Sequence, residues 1–274
     1  MTVPKQARQR SDDGPRTYAW PPQPPHEIEV LSVTSAMKSL NKPFLVGWAA
    51  KMSAEAAVED HEIVGAMLAK GNKRGALDYI KQARFRDAGG KADRGTIVHA
   101  AVEAYLAGKP VDPDHVQFLL EEKQVPEALW AATFKMIDGV MEFLYDFEPE
   151  VVWSEATVYS REHGYAGTAD IIGKIRIGRS KKPAVLDFKA SKAIYNETAM
   201  QLTAYARADF VGLDDGTEVP LLDAPIKHGM VIRPTASGKY EHANFDLTDE
   251  VFDKFLACLE LADAERVFAR ARRA

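Results

Sequence analysis

The stretch Gly164–Lys192, with the sequence GYAGTADIIGKIRIGRSKKPAVLDFKASK, decides the fold. It predicts two β-strands joined by a turn centred on residues 178–179, because apolar and polar positions follow the period of strands. Asp170 and Asp187 are equidistant from the centre of that turn. In an unbulged antiparallel hairpin they therefore lie opposite each other, with Cβ atoms about 4.5–5.5 Å apart.

The same hairpin predicts a reactive face and a core face. Lys189 lies two residues after Asp187 and shares its face. Two carboxylates about 5 Å apart repel by roughly 3 kcal/mol at an effective dielectric near 20, so a proton, a cation or a metal must offset them. Mg²⁺ with oxygen ligands would offset both. An exposed cross-strand ion cluster is the alternative. The core face carries Ala169, Ile171, Leu186 and Phe188.

Basic residues are concentrated in this hairpin although the protein has a net charge of −5. The local excess suits a phosphate backbone, and a solubilising turn is the alternative. The basic residues are Lys174, Arg176, Arg179, Lys181, Lys182, Lys189 and Lys192.

The composition is that of an ordinary globular protein, with 46% hydrophobic and 27% charged residues in 274. Cys258 is the single cysteine, which excludes an internal disulfide and any multi-cysteine zinc or iron–sulfur site. The N-terminus lacks the apolar core of a signal peptide, and no run approaches the length of a membrane span. These features predict an intracellular, cytoplasmic protein without a membrane partner.

The chain is predicted to form one domain behind a flexible arm. Residues 1–27 are polar and then proline-rich, which indicates a disordered arm; docking through Tyr18 and Trp20 is the alternative. Residues 28–274 are predicted to be a single α/β domain with a mixed sheet flanked by helices and a helical front section. Two glycines at residues 89–90 are expected to break the helices of that section.

Four short motifs resemble those of the PD-(D/E)XK nuclease superfamily, most closely its RecB-like branch, which includes phage recombination exonucleases. They occur in the family's order. Gly95-Thr-Ile-Val-His99 is similar to the GxxxH helix, Gly167-Thr-Ala-Asp170 to the GxxD strand, Leu186-Asp187-Phe188-Lys189 to the D-x-K strand and Gln201-Leu-Thr-Ala-Tyr205 to the QxxxY helix. The resemblance implies a restriction-endonuclease-like core of order α-β-β-β-α-β.

The resemblance also implies roles for individual residues. His99, Asp170 and Asp187 would bind the metal, and Lys189 would be the catalytic lysine. Glu155 in the preceding strand would be an additional catalytic acid that supports the ligands or occasionally binds the metal itself. The contacts with DNA would come from Arg94, Lys192, Gln201 and Tyr205.

The implied activity is hydrolysis of DNA by an exonuclease that uses Mg²⁺ or Mn²⁺. It would act in recombination, repair or replication of a phage or bacterial genome, with a single-strand annealing or recombination protein as partner. No iron–sulfur cluster or nucleotide cofactor is expected. A catalytically silent DNA-binding module and a metal-dependent enzyme acting on another substrate are the alternatives.

Overall fold

Ten strands form one mixed sheet in the computed structural model, which describes residues 6–9, 15–40 and 42–271. The strands are β1 (Ala7–Gln9), β2 (Arg16–Trp20), β3 (Ile28–Ser32), β4 (Glu150–Ser160), β5 (Tyr165–Ile177), β6 (Ser180–Phe188), β7 (Phe210–Gly212), β8 (Glu218–Val219), β9 (His228–Pro234) and β10 (Tyr240–Asp246). The protein is thus α/β, with helices flanking a mixed sheet, as predicted.

Eight α-helices lie within the described residues. They are α1 (Val33–Ala36), α2 (Phe44–Glu59), α3 (His61–Ala69), α4 (Lys73–Leu106), α5 (Pro113–Glu122), α6 (Trp130–Phe147), α7 (Thr198–Ala206) and α8 (Asp249–Ala271). Short 3₁₀ turns follow α1 and precede α6. Within this described part, none of the helices combines the length and the apolar character needed to cross a bilayer.

Strand β5 organises the sheet because three strands pair with it. Antiparallel β4 follows one edge of β5 over most of its length. The other edge is shared: β3 pairs in parallel with residues 165–166, and β6 pairs antiparallel with residues 171–177. Residues 167–170, which are the GxxD motif that ends in Asp170, lie between those two pairings. The sheet therefore forks at this motif.

The remaining strands extend the sheet on both sides of the fork. Beyond β6 lie parallel β9 and then antiparallel β10, and beyond β4 lie β7 and β8. Two apolar layers cover the sheet. One contains Phe255 of α8 and Leu202 of α7, and the other contains Ile97 of α4 and Phe143 of α6, all of them fully buried. The site helices α4 and α7 are thus fixed against the sheet by packing.

The N-terminal segment that was predicted to be a flexible arm is part of the sheet where it is described. Strand β2 pairs with β1 and β3. Tyr18 and Trp20 are 2% and 1% exposed, and the Trp20 indole donates a hydrogen bond to Glu218 at 2.8 Å. The flexible-arm prediction is therefore wrong here, because aromatic burial and strand pairing outweigh the proline-rich composition. Residues 1–5 and 10–14 lie outside the described part.

Helix α4 also differs from the prediction. The two glycines at residues 89–90 were expected to end a helix, but the helix continues through them for 34 residues. Two interior glycines cost roughly 2 kcal/mol together, which the packing of α4 on α2 and α6 offsets. His99 therefore lies near the end of one helix about 51 Å long at about 1.5 Å per residue. The predicted helical front section is present as α2, α3 and the first half of α4.

Candidate metal centre and active site

Three predicted site residues meet at the fork of the sheet. Candidate ligand atoms of His99, Glu155 and Asp170 all lie within 4.8 Å of one another. The Nδ1 atom of His99 is 3.2 Å from Glu155 Oε1, and its Nε2 atom is 3.6 Å from Asp170 Oδ2. The carbonyl oxygen of Phe188 is 3.2 Å from the same Nε2 atom. Helix α4 and strands β4, β5 and β6 thus contribute to one cluster.

The strand register aligns three acids across the sheet. Strands β4 and β5 keep one register on either side of Glu155 and Asp170, so these two residues are opposite each other. Strands β5 and β6 pair in the predicted register, which ends at Ile171 with Leu186. Asp170 and Asp187 follow directly beyond that pair. The register up to this point is the predicted one, and the four predicted core residues of the hairpin are buried.

Asp170 is held in place by the backbone of the next strand. The N–H group of Phe188 donates a hydrogen bond to Asp170 Oδ2 at 2.7 Å. Burial raises the pKa of Asp170, and the cations of His99 and Lys189 only partly oppose that effect. A further positive charge in the cluster would therefore stabilise the ionised form of this carboxylate.

Asp187 is a buried carboxylate with an incompletely satisfied oxygen. It is 1% exposed. Lys189 Nζ donates to Asp187 Oδ1 at 2.8 Å, and Gln201 Nε2 donates to the same oxygen at 3.2 Å. Oδ2 lies 2.7 Å from Lys189 Nζ, but no described group gives it a well-aligned hydrogen bond. An exposed ion cluster, the alternative reading of the hairpin, does not fit this burial.

The protonation states of Asp187, His99 and Lys189 follow from their surroundings. Burial raises the pKa of Asp187 to about 6, against the lowering effect of Lys189. Burial lowers the pKa of His99, but the carboxylates of Asp170 and Glu155 outweigh it and raise this pKa to about 10. Burial also lowers the pKa of Lys189, and Asp187 and Asp170 reverse that shift, so the amine stays charged.

Glu155 has a backbone conformation that is uncommon for a residue with a side chain. Its φ angle is +49°, in the left-handed region. Such strain costs about 1–3 kcal/mol and is concentrated at functional sites. The resemblance implied that Glu155 is an additional catalytic acid that either supports the ligands or occasionally binds the metal itself. The structure places its carboxylate beside His99, where it is a candidate ligand.

Gln201 and Tyr205 lie behind Asp187. They were predicted to contact DNA, and both line the groove at the site, but they are only 8% and 2% exposed. Gln201 Nε2 donates to the Tyr205 hydroxyl at 3.0 Å as well as to Asp187. Their contacts therefore position Asp187. The close fit also explains Gly167, since an added Cβ would lie 2.5 Å from the ring of Tyr205.

Arg94 and Lys192, which were predicted to contact DNA, do not line the groove at the site. The Arg94 guanidinium donates to Thr133 Oγ1 at 3.0 Å and to the sulfur of Met136 at 2.9 Å, so it is directed at α6. Burial lowers its pKa. Lys192 is exposed in the loop after β6 and does not line the groove. The prediction for Arg94 missed its contacts with α6, which the motif spacing does not encode. The DNA contact of Lys192 stays a prediction.

The basic turn of the hairpin is remote from the acids. Asp170 is eight residues from Gly178, which corresponds to about 26 Å at about 3.3 Å per residue. Arg176 forms an ion pair with Glu148 at 3.2 Å. Lys181 likewise pairs with Glu150 at 3.0 Å. The turn is therefore not part of the site. Lys189 is the basic residue of the hairpin that lines the groove.

Arg16 is a groove residue that the sequence analysis missed. It begins β2 and lines the same open groove, of about 470 Å³, as Asp170, Asp187 and Lys189. Its neighbour Tyr18 is fixed near the site by a 3.1 Å hydrogen bond to Thr168. The segment RTYAW could have revealed this strand from the sequence, because its β-branched and aromatic residues favour a strand.

The donor set fits a hard divalent cation. Carboxylate oxygens with one imidazole suit Mg²⁺ or Mn²⁺, and the poorly satisfied Asp187 Oδ2 is the kind of buried atom that such an ion stabilises. No family model and no curated protein matches this chain.

Proposed function

We propose that the protein is a divalent-metal-dependent nuclease that hydrolyses phosphodiester bonds in DNA, acting as an exonuclease. One observation carries this proposal: His99, Asp170, Asp187 and Lys189, drawn from a helix and two strands, line a single open groove. If α5, α6, β7 and β8 are treated as insertions, the remaining order α4, β4, β5, β6, α7 and β9 also agrees with the α-β-β-β-α-β core of the PD-(D/E)XK fold.

The residues divide into ligands, a catalytic lysine and positioning groups. His99, Glu155 and Asp170 would hold the metal, with Asp187 as the neighbouring ligand. When bound, Mg²⁺ or Mn²⁺ polarises a phosphodiester and lowers the pKa of a water molecule. Lys189 orients that water and neutralises charge that develops on the phosphate. Gln201 donates to the same Asp187 oxygen as Lys189 and so keeps this carboxylate beside the lysine.

The biological setting follows from the resemblance of the motifs, which is an argument by analogy. A nuclease of this kind suits the resection of DNA ends in recombination, repair or replication, next to a single-strand annealing partner. The cytoplasm, or the host cytoplasm for a phage protein, is the corresponding location. The exposed groove rather than a closed pocket agrees with a polymeric substrate.

Cleavage of linear and closed circular DNA with Mg²⁺ or Mn²⁺ tests the proposal. The wild type should degrade linear DNA and spare the circle, whereas Lys189→Ala and Asp187→Ala should each lose activity by about a hundred- to a thousandfold, the scale of a removed transition-state group. Glu122→Gln, an exposed substitution on α5, is the control and should cleave normally. DNA binding without cleavage by the wild type would favour a silent module. Cleavage unaffected by both site substitutions would refute the site.

A further inference from the structure

A second cavity lies on the other side of the candidate metal centre. It has a volume of about 480 Å³. We call it the distal cavity, and we call the cavity that holds Asp187 and Lys189 the site groove. The two share Thr96, His99, Glu155 and Thr168 among their lining residues. His99 and Glu155 therefore form part of the wall of both cavities, which adjoin at the candidate metal centre.

The two cavities differ in their cations. Arg16 and Lys189 line the site groove, beside the carboxylates of the candidate metal centre. Glu103 and Asp214 line the distal cavity together with the shared Glu155, and no lysine or arginine lines it within the described residues. A phosphate group is stabilised by the two cations of the site groove and repelled by the carboxylates of a cavity whose described lining has no lysine or arginine. The phosphate backbone of a nucleic acid is therefore expected in the site groove alone.

The distal cavity has walls that suit an uncharged aromatic group. Trp153, Val211 and Leu213 supply apolar surface. The Trp153 ring is fixed, because its indole N–H donates to the carbonyl of Leu221 at 2.8 Å. The volume lies within the range of about 300–1,000 Å³ that is usual for small-molecule sites.

We propose that the distal cavity binds the terminal nucleoside of the DNA strand and selects an end that carries a hydroxyl rather than a phosphate. This inference rests on the proposed nuclease function and adds the chemistry of the end. Glu103 and Asp214 are the specificity-determining residues, since their carboxylates line the cavity that a terminal phosphate would have to enter. The site groove, with Arg16 and Lys189, holds the phosphates of the rest of the strand.

Short blunt duplexes of one sequence, carrying hydroxyl ends, 5′-phosphates or 3′-phosphates, test the inference. Initial cleavage rates are measured with Mg²⁺, and equilibrium binding is measured with Ca²⁺ to avoid cleavage. One of the two phosphorylated duplexes should be cut about tenfold more slowly than the hydroxyl-ended one, which corresponds to about 1.4 kcal/mol. It should also bind more weakly. The double variant Glu103→Gln, Asp214→Asn should bring this ratio close to one, and Glu122→Gln should leave it unchanged.

Equal rates and equal binding for all three duplexes in the wild type would overturn the inference, as would faster cutting of a phosphorylated end. A preference that survives intact in the double variant would also overturn it, because the two carboxylates would then not cause it. These outcomes leave the nuclease activity itself intact. Failure to cut any DNA is a different result, which removes the proposed function and the inference with it.

Discussion

The Nε2 atom of His99 lies 3.6 Å from the Oδ2 atom of Asp170. His99 belongs to the long helix α4. Asp170 belongs to the central strand β5, in the short segment between the part that pairs with β3 and the part that pairs with β6. A buried carboxylate at a fork in a sheet is costly unless it meets a positive charge. The histidine supplies that charge in the metal-free protein, and a divalent ion would replace it.

The pH dependence of metal binding follows from His99. Its pKa of about 10 means that the ring is protonated at neutral pH and must lose a proton before it can bind a metal. The affinity for Mn²⁺ should therefore rise about tenfold per pH unit between about pH 6.5 and 8.5, with release of one proton. Below about pH 6 protonation of Asp187 should weaken binding further.

Isothermal titration calorimetry in buffers of different ionisation enthalpy measures that proton. His99→Gln is the matched control: it keeps a polar side chain, cannot titrate, and should bind Mn²⁺ more weakly with no proton released by this residue. An affinity of the wild type that stays constant over the same pH range would contradict the assignment of His99 as a ligand.

Gln201→Ala tests the positioning role of the buried amide. The substitution removes the 3.2 Å hydrogen bond to Asp187. Groups that orient metal ligands typically change activity by about 10–100-fold, so kcat should fall by about that factor while KM for DNA changes little. Tyr205→Phe removes only the hydroxyl partner of Gln201 and should have a smaller effect. A raised KM with normal kcat would instead indicate a direct contact with DNA.

Gly167→Ala tests the tight approach of α7 to β5. The added Cβ would lie 2.5 Å from Cε1 of Tyr205, so the ring must move. Such overpacking costs about 1–3 kcal/mol in the free energy of unfolding. Gly47→Ala is the control, because nothing lies within 4 Å of its added Cβ in helix α2. It should stabilise by about 0.5–1 kcal/mol. Urea denaturation compares the two, and equal effects would contradict the packing.

Trp20→Ala tests whether the N-terminal segment is structural. Its ring is 1% exposed, so truncation should lower the free energy of unfolding by about 3–5 kcal/mol. Tyr145→Ala removes an aromatic ring that is 79% exposed and should change stability by less than about 0.5 kcal/mol. Thermal or urea unfolding gives both values. A flexible arm would instead make Trp20→Ala as harmless as the control.

The hairpin could be predicted because its rules are local. Side chains alternate with a period of two, so the symmetry of Asp170 and Asp187 about the turn was enough to give their register. The switch from helical to strand periodicity likewise gave the α/β class. The motif order placed His99 and Lys189 near these acids, and the structure brings all four into one groove.

The features that the sequence did not reveal depend on contacts between distant segments. The strand that carries Arg16 is stabilised by burial of Trp20 against residues far along the chain, and composition alone suggested disorder. The unbroken helix α4 depends on packing that outweighs two glycines. The left-handed backbone conformation of Glu155 cannot be predicted from residue propensities. The side chain of this residue nevertheless supplies the carboxylate nearest to His99.

The position of Mn²⁺ in crystals of the wild type tests the central claim most directly. Anomalous diffraction should show an ion bound by His99, Glu155 and Asp170, beside the carboxylate of Asp187, and crystals of Asp170→Asn should lose that peak. An ion elsewhere in the chain, or no peak at the fork at saturating Mn²⁺, would contradict the account of this site.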